Sequence, residues 1–65
     1  MTSGKAYKLL NDLIDKRPDC EEIFVSKDIH ARLGNITEYR DKVIRVESSV
    51  PKRTLYALNI TYGEE

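Results

Sequence analysis

The sequence predicts an α+β domain, three short helices closed by a C-terminal β-hairpin, and three observations carry that prediction. Residues 4–16 repeat apolar side chains at helical spacing and run into Pro18. Residues 26–46 read as a short helix, a glycine break and a second, capped periodic segment. Residues 54–62 alternate in the manner of a strand.

The first helix is expected over Gly4–Lys16. Ala6, Leu9, Leu10, Leu13 and Ile14 fall on one face, with Tyr7 at its margin. Lys16 and Arg17 sit where positive charge meets the helix dipole favourably, and Pro18 disfavours helical geometry at Arg17. Ile23, Phe24 and Val25 have strong β tendency, so this connector should bury Phe24 and add a brief strand. Ser26 is a good N-cap for a second helix over Lys27–Leu33, in which Ile29 and Leu33 face inward together, and Gly34 ends it.

The stretch Asn35-Ile36-Thr37-Glu38 fits a capping box. Beyond it Ile36, Tyr39, Val43 and Val46 recur at helical spacing, which predicts a third helix over about 36–47. Lys42–Glu47 is rich in β-branched residues and also suits a strand, but the cap and the wider period favour helix. On such a helix Glu38 with Lys42, and Asp41 with Arg45, would pair at i, i+4. Glu47–Arg53 then makes a turn. Thr54–Tyr62 makes a strand with Thr54, Tyr56, Leu58, Ile60 and Tyr62 on one face, and Leu55, Ala57, Asn59 and Thr61 on the other.

Sixty-five residues allow a single domain, 1–65, with 3–62 ordered and 63–65 a tail. Cys20 is alone, so no internal disulfide forms, and one thiol with one histidine does not make a zinc site. No nucleophile–base set or phosphate loop stands out, so no enzyme, cofactor or metal is expected. The apolar runs are far too short for a transmembrane helix, and charges begin too early for a secretory signal. The expected place is the cytoplasm. A core this small invites self-association, so a homodimer is one expectation. Net charge is zero, yet residues 26–53 carry +3, with −1 before them and −2 after. That asymmetry points towards an anionic partner.

The order of elements resembles the winged helix-turn-helix family over about residues 5–62. The matching residues are Phe24-Val25-Ser26 leading into Asp28-Ile29, then Leu33-Gly34 and Val43, with Lys52-Arg53-Thr54-Leu55-Tyr56-Ala57-Leu58 as a wing and its return strand. The resemblance implies a small, non-enzymatic DNA-binding regulator of transcription. Tyr39, Arg40, Lys42 and Arg45 would then be the reading side chains, and Lys52 and Arg53 the wing contacts, with Lys27 joining them on phosphate. The alternative is a protein–protein interaction module or inhibitor. It would use the C-terminal strand as a binding edge, through Leu58, Ile60 and Tyr62.

Overall fold

The computed structural model describes residues 3–63 and contains two helices and one five-stranded mixed sheet. In chain order these are α1 (Ser3–Lys16), β1 (Glu22–Val25), α2 (Lys27–Arg32), β2 (Glu38–Tyr39), β3 (Lys42–Val46), β4 (Thr54–Ala57) and β5 (Ile60–Gly63). The strands lie in the order β2-β3-β1-β4-β5. The short connector strand is therefore the centre of the sheet, parallel to β3 and antiparallel to β4.

Both helices follow their local signals. Ala6, Leu10, Leu13 and Ile14 of α1 are buried against the sheet. The buried Ser26 hydroxyl accepts from the Ile29 amide at the start of α2. At the other end Gly34 takes φ +82, with its amide on the Ala31 carbonyl and the Asn35 amide on that of His30. This is the paired 5→2 and 6→1 closure of a Schellman motif, which satisfies two orphan carbonyls. The Tyr7 hydroxyl donates to a third, that of Leu33, and so fastens α1 to the end of α2.

The expected three-helix arrangement with a winged C-terminal hairpin is not the one adopted. Residues 38–46 form the β2–β3 hairpin instead of a third helix. Arg40 and Asp41 both take positive φ, 51 and 65, the signature of a two-residue type I′ turn. Burial separates the two periods. The helical period would bury Val43 and Val46, which are 39% and 40% exposed, whereas the strand period buries Ile44, at 4%. Asn35, the proposed cap, has φ 58 and belongs to the turn that ends α2. The i, i+4 pairs are replaced: Arg45 pairs with Glu22, and Lys42 donates to the Pro18 carbonyl.

The single strand expected over 54–62 is folded in two. Leu58 and Asn59 make the turn between β4 and β5, and Leu58 takes φ 51. The alternation restarts after the turn. Leu55 and Ala57 now share the helix-facing side with Ile60 and Tyr62, while Tyr56 and Thr61 point the other way. The 47–53 loop joins β3 to β4 across the end of β1 and is not a wing between neighbouring strands. Phe24, expected inside, is only half-buried, because β1 sends Ile23 and Val25 into the core. Cys20 lies within that core. Gly63 is the last residue of β5, and the rest of the expected tail, 64–65, falls outside the described residues.

Candidate interaction surface on the open sheet face

Each strand of a sheet alternates its side chains between two faces. The helices cover one face here, which carries Ile23, Val25, Ile44, Leu55 and Ala57. The register places Glu22 and Phe24 of β1 beside Val43 and Arg45 of β3, and Phe24 opposite Tyr56 of β4. Glu38 stands opposite Val43, and Thr61 opposite Tyr56. No helix lies over this second face among the described residues.

Its centre is aromatic. The rings of Phe24 and Tyr56 lie 6.3 Å apart at 39°, a cross-strand contact that holds both in place. Val43, Tyr56 and Leu58 are 39%, 37% and 45% exposed. The two rings form the floor between two shallow grooves. One is bounded by Asp19, Glu21, Glu22 and Leu58, the other by Glu47, Ser49 and Val50.

The loop that walls the second groove is held by α2. The Asp28 carboxylate accepts from the Arg53 amide through both oxygens, at 2.9 and 3.2 Å. Burial works against the charge on Asp28. Hydrogen bonds from the Ser26 hydroxyl and from the amides of Arg53, Asp28 and Ile29 outweigh it and hold the carboxyl below its usual range. Thr54 adds a side-chain bond to the Pro51 carbonyl, and the Ser26 amide donates to the Thr54 carbonyl.

The residues expected to read DNA are not brought onto one surface. Tyr39 packs on Tyr7 with ring centroids 5.5 Å apart, and its hydroxyl donates to Asn11. Arg40 reaches back to Asn11 and Asp15, so this hairpin tip is docked on α1. Lys42 is tied to the loop after α1, while Arg45 lies on the open face in its pair with Glu22. Lys27 and Lys52 flank a separate cleft between α2 and the 47–52 loop, and Arg53 sits beside Asp28. Of the expected protein-contact residues, Leu58 is at an exposed turn, whereas Ile60 and Tyr62 turn inward and pack against the core. β5 does form one edge of the sheet.

Phe24 and Val43, expected to face inward, line this surface with Tyr56. The signal was present in Glu22-Ile23-Phe24-Val25, whose alternation puts Phe24 opposite two aliphatic neighbours. Locating Tyr56 beside it required the pairing of β1 with β4. Among the described residues no group of three or more His, Cys, Asp or Glu side chains could hold a metal ion. No helix there is long and apolar enough to cross a membrane. No protein-family model, no curated protein and no solved structure matches the chain.

Proposed function

We propose that this chain is a non-catalytic protein-interaction module that receives its partner on the open face of the sheet. The observation that carries this reading is the Phe24–Tyr56 ring pair at the centre of a face no described helix covers. Rigid aromatic side chains surrounded by polar groups are what binding hot spots are made of, because they bury much area at little cost in rotamer entropy. The grouping of bases supports the same choice. Seven cationic or aromatic side chains proposed to read DNA are spread over the α1 side, the open face and the α2 cleft, whereas phosphate binding gains most from unpaired bases on one surface.

The test is partner retention by the immobilised chain in nuclease-treated extract of the cells that make it. Wild type and Lys8→Ala, a change on the helical side, should retain the same protein. Tyr56→Thr, which keeps a residue suited to a strand, should lose it by about tenfold. Retention indifferent to Tyr56→Thr, or abolished by nuclease alone, would overturn the reading.

A further inference from the structure

The charges around the ring pair are one-sided, although the whole chain is neutral. Glu22 and Glu38 stand on the open face by register, and Glu47 walls one groove. Asp19 and Glu21 bound the other groove. Against these five carboxylates the face has, among the described residues, one cation, Arg45, and its guanidinium is already held by Glu22. The carboxylates of Asp19, Glu21 and Glu38 meet no cation within ion-pair distance among the described residues. The surface is thus an exposed Tyr56 ring and a half-buried Phe24 ring inside a rim whose carboxylates outnumber its one cation.

We infer that the partner segment on this face is cationic, an arginine- or lysine-bearing stretch of polypeptide. The inference rests on the open face being the binding surface. A guanidinium or ammonium over the Phe24 or Tyr56 ring is attracted by the negative face of its π system. The same cation is then within reach of the rim carboxylates, which steer it in and fix its orientation. A flat face with two shallow grooves accommodates an extended chain lying across β1 and β4 rather than a compact ligand sunk in a cavity. A phosphate backbone would meet the rim with like charge, and so would the same face of a second copy.

The test is a two-dimensional amide NMR titration with a peptide of about ten residues alternating glycine and arginine. A glycine–glutamate peptide and a single-stranded oligothymidine serve as comparators. The arginine peptide should move the amides of Phe24, Val43, Tyr56 and Thr61 saturably and leave those of α1 in place. Neutralising two rim groups, Glu21→Gln with Glu38→Gln, should weaken binding about fivefold, and raising salt should weaken it further. Tyr56→Thr should weaken it independently of salt. The inference is overturned if no saturable shift occurs, if the shifts lie on α1, or if the double neutralisation leaves affinity unchanged. It is also overturned if the acidic peptide, the oligothymidine or rising protein concentration alone moves these same amides. In that last case the face still binds and only the chemistry of its partner is wrong. The face itself is dismissed by the extract experiment, when Tyr56→Thr retains the partner as wild type does.

Discussion

The two faces of the sheet are built from alternate residues of the same strands, yet only one is packed against helices among the described residues. In β1, Ile23 and Val25 are fully buried while Phe24 between them is half-exposed. In β4, Leu55 and Ala57 are buried while Tyr56 between them is exposed. Both faces are apolar at the centre, but among the described residues helices cover only one. The apolar residues on the open face lie outside the cluster of buried side chains and add little to the core. Their presence there is better explained by binding than by folding.

Substitutions should separate the faces by size of effect. Leu55→Ala, on the covered face, removes a fully buried side chain and should cost about 3 kcal/mol. That is comparable with the whole stability of a domain this small, so circular dichroism should find much of the chain unfolded. Tyr56→Thr, the adjacent residue on the open face, should cost no more than about 1 kcal/mol in urea unfolding. Equal losses at the two positions would break the comparison.

Two smaller effects concern the connections that position those faces. Gly34 has φ +82 with nothing within 4 Å of where a Cβ would stand. Gly34→Ala should therefore cost about 1 kcal/mol through backbone strain alone, without loss of packing. Asp28 holds the loop beside the open face, and its effect should depend on pH. Its folded carboxyl lies below the ordinary value, so the unfolded chain takes up the proton first as pH falls. Its contribution is full above the unfolded pKa of about 3.9 and is lost as pH falls through the lower folded value. Asp28→Asn should thus lower the thermal midpoint at pH 7, and the gap from wild type should narrow below about pH 4. A gap that stays constant with acidification would assign the effect to something other than the charge.

What the sequence made legible was whatever carried its own local signal. The periodic face of α1, the Ser26 cap and Gly34 each have a side chain or a missing one that dictates the backbone, and both helices formed where expected. The hairpins had no such marks. Their turns use Arg40-Asp41 and Leu58-Asn59, with positive φ at Arg40, Asp41 and Leu58, where glycine or asparagine is the usual indicator. Without a visible turn, the alternation of 54–62 runs straight through Leu58 in the sequence, and the helical spacing of Ile36, Tyr39, Val43 and Val46 predicts a helix. Tertiary contacts decide that segment: Tyr39 and Arg40 dock on α1, and Ile44 pairs with Ile23 in the core. The open face was hidden for a related reason. Phe24 and Tyr56 are distant in sequence and meet only through the pairing of β1 with β4.

If the open face is the binding surface, binding can be removed there while folding is kept. The direct measurement is partner retention by Tyr56→Thr at a folded fraction matched to wild type by urea unfolding. The prediction is retention lowered about tenfold with the unfolding transition nearly in place. Retention equal to wild type at that matched folded fraction would contradict the assignment of the open face as the binding surface.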